Sequence, residues 1–181
     1  MDNTENRLDA TLNINKYPTG QTKYYTLDKS QDWLEKLLTE LNEKATEKTV
    51  EEKLAQTSIE CELEITKKQK HHMGNYLVVK GKFKAEYLTE CVRTLQEMKD
   101  SVETEIKACF LSEFLEKDEN FQDQTEIFEE DEMLELYFYA KGQVQLAEMI
   151  HEQVYLDVNQ YPVADEDAPL AWGNTQTDTK Q

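Results

Sequence analysis

Residues 76–95 read Tyr-Leu-Val-Val-Lys-Gly-Lys-Phe-Lys-Ala-Glu-Tyr-Leu-Thr-Glu-Cys-Val-Arg-Thr-Leu, and this stretch decides the fold. Its apolar phase consists of Leu77, Val79, Phe83, Ala85 and Tyr87. Every second residue from Lys80 to Glu86 is charged, and this alternation predicts a β-strand with one buried face and one face in water. Gly81 lies inside the strand, where glycine suggests a bulge or a bend. The stretch ends in a corner formed by residues 91–95.

The preceding segment, residues 58–65, has the same period of two. Its apolar residues are Ile59, Cys61, Leu63 and Ile65, and the residues between them are Glu60, Glu62 and Glu64. We expect the two segments to pair as an antiparallel hairpin. Three glutamates would then face three lysines on the solvent side, and each pair would contribute about 0.2 to 1 kcal/mol.

The connection between these two strands, residues 66–75, contains the one basic cluster of the sequence. The cluster consists of Lys67, Lys68, Lys70, His71 and His72. One interpretation is a solvated hairpin tip whose charges keep the sheet from associating. The other is a contact with phosphate or with an acidic surface. Adjacent histidines point in opposite directions in an extended chain, so a metal-binding pair is not expected.

Helical periods occur on both sides of this hairpin. Leucines recur at spacings of three and four after Trp33 and predict an amphipathic helix. Thr49 and Glu52 match a capping box, so residues 30–55 form one long helix or two. A further helix is predicted from Val144 to Val158. Strands are predicted as a hairpin within residues 8–27, at residues 101–111 and at residues 132–140.

An acidic segment, residues 112–131, separates the last two of these strands. It carries acid at nearly every second position from Glu113 to Glu130 and has no clean period. Charge repulsion of this kind predicts a mobile loop. The aromatic residues within the segment leave open that it folds onto a partner.

These elements predict one α+β domain over residues 8–163. A flexible N-terminus of residues 1–7 and a flexible polar tail of residues 164–181, which contains Trp172, would flank it. We expect an antiparallel sheet of five to seven strands, strongly bent or barrel-like, packed with one helix from the N-terminal half and one C-terminal helix.

The charge of −18 is distributed unevenly along the 181 residues. Residues 1–90 carry 14 Lys and Arg against 16 Asp and Glu, whereas residues 91–181 carry 6 against 22. Phosphate backbones are repelled by such a surface, so direct RNA binding by the second half is expected to be weak or indirect. An acidic field favours the encounter with cationic partners such as Lys- and Arg-rich proteins.

Motifs for catalysis, cofactors and membrane insertion are not found in the sequence. The longest apolar run is five residues, Leu136 to Ala140, against the roughly 20 that a membrane-spanning helix needs. The N-terminus resembles neither a secretory signal nor a transit peptide, and we expect a cytoplasmic protein. Three cysteines without paired spacing argue against a disulfide framework, and Cys61 and Cys109 are expected to be buried. No phosphate loop, nucleophile motif or zinc-type cluster is present, so no cofactor, metal or enzyme activity is expected.

Two motif segments carry a family resemblance. The first is Cys91-Val92-Arg93-Thr94-Leu95, which follows a strand with an internal glycine. The second begins at residues 142–146, continues through Glu152-Gln153-Val154-Tyr155-Leu156 and ends at Tyr161-Pro162-Val163. Together, in this order, they resemble the YceD family, the bacterial large ribosomal RNA subunit accumulation protein, which has plastid relatives in plants.

The family pattern can be carried over to individual positions of this chain. The matching residues are Cys91, Arg93, Leu95, Leu146, Glu152, Leu156 and Pro162. Thr94 stands where the family has a second cysteine, so a metal or redox role for this corner has no support here. Asn159 stands where a first proline is common.

The resemblance implies a non-catalytic factor that supports the accumulation or processing of the large-subunit (23S) ribosomal RNA and ribosome assembly. With the charge distribution, it suggests that a basic ribosomal protein, a pre-ribosomal particle or an rRNA-processing partner binds the acidic surface. RNA or partner contacts would be limited to Lys67, Lys68, Lys70, His71, His72 and Arg93. The alternatives are an acidic adaptor unrelated to ribosomes, which docks through residues 113–130, and a metal-dependent ribonuclease.

Overall fold

A seven-stranded sheet, a two-stranded sheet and three helices make up the regular structure of residues 4–164, which are the residues that the computed structural model describes. The strands are β1 (Thr4–Glu5), β2 (Thr11–Asn13), β3 (Thr22–Asp28), β4 (Ser58–Lys70), β5 (Gly74–Glu90), β6 (Glu97–Ser112), β7 (Glu126–Glu129), β8 (Glu132–Tyr139) and β9 (Gln143–Gln145). The helices are α1 (Asp32–Leu41), α2 (Val50–Gln56) and α3 (Leu146–Asp157). Within these residues, no helix is both long enough and apolar enough to cross a bilayer.

The large sheet has the strand order β1-β3-β4-β5-β6-β8-β7. The expected hairpin of β4 and β5 is confirmed, and β5 pairs with β6 in the same antiparallel manner. However, β1 runs parallel to β3 and β8 runs parallel to β6. The prediction of a purely antiparallel sheet is therefore wrong. Strand β7 lies on the outer side of β8 and runs antiparallel to it. It carries the chain back before β8 begins, so β8 runs in the same direction as β6.

The sheet is open, so the prediction of a barrel-like closure is also wrong. Strands β1 and β7 lie at its two ends and do not pair with each other. Gly81 does not introduce a bulge, because the β4–β5 register continues without interruption from Ser58 opposite Glu86 to Lys70 opposite Gly74. A Cβ atom at Gly81 would lie 1.9 Å from the carbonyl oxygen of Glu62. Glycine is needed here for a close backbone approach.

The predicted hairpin within residues 8–27 is wrong in its pairing. Strand β2 pairs antiparallel with β9, while β3 joins the large sheet beside β4. Apolar alternation in this region indicates strands but cannot identify their partners. The helical prediction for residues 30–55 resolves into the two helices α1 and α2, and the capping box of Thr49 and Glu52 is present at the start of α2.

The first face of the sheet holds the main core. Helices α1 and α3 cover this face with Leu34, Leu38, Met149, Ile150 and Val154. Beneath them lie the apolar phases of β4, β5 and β6, including the buried Cys61. The helical periods read from the sequence are therefore confirmed as core-facing stripes.

The second face is covered at one end by the acidic segment 112–131. Phe121 from this segment is buried with Tyr76, Val78, Cys109 and Leu134 in a smaller apolar cluster. The segment also contains a short 3-10 helix at Glu113–Leu115 and strand β7. Its description as a loop is thus wrong over β7, because apolar residues anchor this acidic stretch to the sheet. Its mobility stays a prediction.

The solvent side of the hairpin keeps the expected register but forms different ion pairs. Lys80, Lys82 and Lys84 lie opposite Glu64, Glu62 and Glu60, as predicted. The ion pairs, however, join Lys84 to Glu103 at 3.6 Å and Lys80 to Glu132 at 2.5 Å. Within the described residues, no ion pair joins the β4 glutamates to these lysines. Lys80 and Lys84 therefore connect β5 to the later strands.

Candidate functional site

The first motif segment is the hairpin turn between β5 and β6. The backbone N–H of Cys91 donates to the carbonyl of Gln96 at 2.9 Å, and the N–H of Leu95 donates to the carbonyl of Cys91 at 2.8 Å. Leu95 adopts a left-handed conformation with φ of 58°. Its side chain is exposed, whereas Arg93 is half-buried. The predicted corner is thus a closed turn.

The second motif segment returns to this turn after α3. The backbone N–H of Val92 donates to the carbonyl of Pro162 at 3.0 Å, and Pro162 is buried. The two segments that carry the family resemblance are therefore in direct contact. Sequence reasoning could not predict this contact, because it joins residues about 70 positions apart through backbone groups that every residue possesses.

The Cys91 thiol lies in the contact between these segments and has no accessible surface. A hydrogen bond from the Thr94 side chain and others from the backbone N–H groups of Ala164 and Thr94 lower the pKa of Cys91 to about 6. Hydrogen-bond donors of this kind favour the thiolate. Burial instead raises the pKa of Cys61 and of Cys109 to about 12. Thr94, at the position where the resemblance leads us to expect a second cysteine, therefore serves as a hydrogen-bond donor to Cys91.

A thiolate titration should isolate Cys91. We expect the ultraviolet absorbance of one thiolate to appear with a midpoint near pH 6, the pKa of this thiol. Cys91→Ser should remove this step, and Thr94→Val should move its midpoint upward because the main donor is lost. Cys61→Ser is the matched control and should leave the step unchanged. A wild-type midpoint at the ordinary thiol value of about 8.5 would contradict the assignment.

The same shift links Cys91 to the pH dependence of stability. Its folded-state pKa of about 6 lies below the ordinary thiol value. The thiolate therefore contributes stability that is fully present above about pH 8.5 and is lost as the pH falls through about 6. When urea unfolding is measured at a series of pH values, the free energy of unfolding of the wild type should rise between about pH 6 and pH 8.5. Cys91→Ser should lack this rise.

The family positions on and after α3 fall into two classes. Leu146 and Pro162 are buried and hold the fold together. Glu152 is exposed, and 77% of the Leu156 surface is accessible. Leu156 lies off the stripe formed by Leu146, Met149, Ile150 and Val154, and this offset is the sequence signal for its exposure. An exposed leucine at a family position is a candidate for partner contact.

The basic cluster lies at the tip of the β4–β5 hairpin, where it meets two carboxylates of the acidic segment. Lys70 Nζ lies 2.7 Å from Glu129 Oε2, and Lys68 Nζ lies 3.7 Å from Glu129 Oε1 and also contacts Glu130. The Tyr76 hydroxyl donates to Glu129 at 2.8 Å. Only 3% of the Glu129 surface is accessible. This arrangement, termed the tip network below, neutralises two of the three lysines.

The remaining residues of the basic cluster differ in accessibility. His71 and His72 are exposed. Lys67 is buried to 9% accessibility, and its carbonyl accepts a hydrogen bond from the backbone N–H of Gly20 at 2.8 Å. The cluster is therefore less available to a phosphate backbone than its sequence suggests, and its contact with RNA or a partner stays a prediction. The role of Glu129 could not be predicted from the sequence, because the acidic segment contains many carboxylates and nothing distinguishes this one.

Metal chemistry has no candidate site in the region that the structure describes. Between residues 4 and 164, no three side chains of His, Cys, Asp or Glu are grouped so that they could hold a metal ion.

Comparison with known proteins places more than half of the chain in a family. A family model described as "Large ribosomal RNA subunit accumulation protein YceD" matches residues 79–180. The matched range includes both motif segments, strands β6 to β9 and α3. No curated protein and no solved structure matches.

Proposed function

The chain belongs to the YceD family, and from this premise we propose that it is a non-catalytic, cytoplasmic factor that supports accumulation of the large-subunit (23S) ribosomal RNA. The family description itself names the large ribosomal RNA subunit. We further propose that the chain acts through protein contacts of its acidic surface, and that its partner is a basic ribosomal protein, a pre-ribosomal particle or an rRNA-processing protein.

The charge distribution is the observation that carries this mechanism. Residues 91–181 hold 22 acidic against 6 basic residues. The only basic cluster of the sequence is largely offset by Glu129 and Glu130 in the tip network. A duplex or a folded RNA would meet repulsion over most of this surface, whereas a cationic protein would be attracted to it. This argument favours protein contact over direct contact with rRNA.

A deletion strain and a salt-dependent pull-down test the proposal together. We expect deletion to lower mature 23S rRNA relative to small-subunit rRNA, and the intact chain to restore it. The immobilised full chain should enrich basic ribosomal or rRNA-processing proteins at low salt, and should lose them as ionic strength rises because surface electrostatics are screened. Normal rRNA levels in the deletion strain, or no such protein in the low-salt fraction, would refute the proposal. Magnesium-dependent cleavage of precursor rRNA by the purified chain would refute its non-catalytic part.

An adaptor role unrelated to ribosomes is the second candidate, and the acidic segment 112–131 favours it. Phe114 and Phe128 in this segment are 87% and 62% exposed, and exposed aromatic residues among carboxylates suit a cationic, apolar partner. Reversing the exposed charges with Glu116→Lys and Glu119→Lys leaves the buried Phe121 in place. Loss of a partner with unchanged rRNA levels would favour the adaptor. Glu51→Lys on α2 is the matched control.

A further inference from the structure

Strand β6 has an unpaired outer edge over its first two thirds. It pairs with β5 from Glu97 to Phe110, but β8 lies beside it only from Ala108 to Ser112. The first residues of β8 pair only with β7. Strands β6 and β8 therefore separate below Ala108, and a groove opens between them. Unpaired edges of this kind are natural sites for the addition of another strand.

The side chain of Gln153 on α3 marks where this groove begins. Its amide oxygen accepts from the backbone N–H of Lys107, and its amide nitrogen donates to the backbone carbonyl of Lys107, both at 3.2 Å. A side-chain amide thus replaces one residue of a missing strand. Since backbone groups of a strand alternate in direction, the N–H and C=O groups of Glu105 and Glu103 point to the same side.

These next two residues have no such substitute. Within the described residues, no hydrogen bond is made to the outward backbone groups of Glu103 or Glu105. At Ser101 the side chain of Asp100 accepts from the backbone N–H at 2.8 Å. The open window is therefore about five residues long, from Val102 to Ile106, and both of its ends are closed by side chains.

The groove beside this window is lined by both apolar and acidic side chains. Its lining includes Met133 and Leu156, which are 49% and 77% exposed. It also includes Thr104, whose buried hydroxyl oxygen has no hydrogen-bond partner in the described chain. Phe128, opposite Met133 in the β7–β8 hairpin, extends the apolar surface. Exposed apolar side chains next to unpaired backbone groups are the two features that strand-adding peptides use.

The charges around the groove favour a cationic occupant. Glu105, Glu135 and Asp157 line it, with Lys107 as the one cation among the lining residues. Burial, together with the nearby Glu126 and Glu152, raises the pKa of Glu135. Lys107 lies 3.4 Å from Glu105, so Glu135 and Asp157 are the carboxylates left without a cation among the lining residues. A positively charged side chain placed beside them would be attracted.

We propose that this groove binds an extended Lys- and Arg-rich segment of the partner protein, which adds as a strand to residues 102–106 of β6. Side chains alternate along a strand. One set would therefore face α3 and contact Leu156 and Met133. The other set would face Glu103 and Glu105 on the second face, beside their present contacts with Lys84 at 3.6 Å and Lys107 at 3.4 Å. The preferred sequence alternates apolar and basic residues. This inference rests on the proposed function for the nature of the partner, and the family position Leu156 becomes its apolar contact.

Binding of a labelled ten-residue peptide of alternating Lys and Val to the full chain tests the proposal. We expect saturable binding at low salt, at least tenfold tighter than that of a peptide with the same composition in two blocks. Glu105→Pro removes the outward N–H, and an edge strand tolerates proline at such a position. This variant should weaken binding at least tenfold, while the matched Glu105→Ala, which keeps the N–H, should weaken it less than threefold. Equal effects of the two variants would overturn strand addition.

Leu156→Ser keeps the test decisive if the proline variant fails to fold. The side chain is exposed, so the fold should be retained, and peptide affinity should fall at least tenfold. Val50→Ser on α2, at a side chain that is 47% exposed and does not line the groove, should have no effect. Unchanged affinity in Leu156→Ser would overturn the proposal. A wild-type dimer that Glu105→Pro converts to a monomer would also overturn the proposal, since a second copy of the chain would then occupy the edge. The proposal would likewise fail if Leu156→Ser lost binding to oligouridylate but kept its binding to the peptide.

The two proposals fail separately. If the peptide does not bind but the low-salt pull-down still enriches basic ribosomal proteins, the groove is not their site and the proposed function stands. If the peptide binds as expected while rRNA levels are normal in the deletion strain, the groove is a docking site and the ribosomal role is wrong.

Discussion

Gly81→Ala should abolish or severely weaken folding, although it adds only one methyl group. The added Cβ would lie 1.9 Å from the carbonyl oxygen of Glu62 and 3.0 Å from the Cα atom of Leu63. Both atoms belong to the backbone of β4, so no side chain can rotate away to relieve the clash. Gly81 also lies opposite Ile106 in the centre of β6, so any shift of β5 disturbs pairing on both sides. We expect a loss of about 3 kcal/mol or more in the free energy of unfolding.

Urea unfolding measures this loss, and Gly20→Ala is its control. Gly20 has a positive φ of 82° but nothing within 4 Å of an added Cβ. Alanine there should therefore cost about 1 kcal/mol, the penalty of the left-handed conformation alone. A cost at Gly81 equal to or below that at Gly20 would show that β4 and β5 can separate without loss, and would contradict the close approach.

Glu129→Gln should have the second-largest effect because it removes the charge at the centre of the tip network. The glutamate side chain is 2% exposed and accepts from Lys70 at 2.7 Å and from Tyr76 at 2.8 Å. Glutamine can accept one of these hydrogen bonds but leaves the lysines without a countercharge. We expect a loss of about 2 kcal/mol, since breaking a largely buried pair leaves uncompensated polar groups. Glu130→Gln, at a site 62% exposed, should cost less than about 0.5 kcal/mol.

The tip network also predicts a pH dependence. Burial of Glu129 opposes its ionisation, but the hydrogen bonds from Lys70 and Tyr76 outweigh this effect, so the pKa of the carboxyl is lowered. A lowered pKa contributes stability that is present above the unfolded-state value of about 4.3 and is lost as the pH falls through the folded-state value. As the pH falls below about 4, the midpoint temperature of thermal unfolding should therefore decrease more steeply for the wild type than for Glu129→Gln. Identical acid profiles would contradict ionisation of Glu129 in the folded state.

Local patterns made the centre of this fold predictable. Alternation over β4 and β5 indicated the hairpin because one face is buried and the other is in water, and the register follows from that requirement. The leucine spacing in α1 likewise indicated its core-facing stripe. In these elements the period of the sequence and the period of burial coincide.

The parts that were missed depend on contacts between distant segments or on unusual turn chemistry. The hairpin of β7 and β8 turns through Glu130 and Asp131, which have φ values of 47° and 65°. Such turns favour Asn-Gly or Asp-Gly, so a Glu-Asp turn gives no sequence signal. Likewise, the edge of β6 is open because β8 pairs with it only from Ala108 onward. The residue pattern of β6 itself does not indicate this. The candidate groove therefore could not be predicted, although the exposure of Leu156 could.

The small sheet of β2 and β9 has a consequence for the order of events in folding. It joins residues 11–13 to residues 143–145, and the N–H of Ala147 donates to the carbonyl of Ala10 beside it. Closing a loop of this length costs about 4 kcal/mol of chain entropy. Leu12 and Val144 are both buried in this contact, and β2 and β9 therefore pair only after the central hairpins have formed. During synthesis β2 stays without its partner strand until almost the whole domain has been translated.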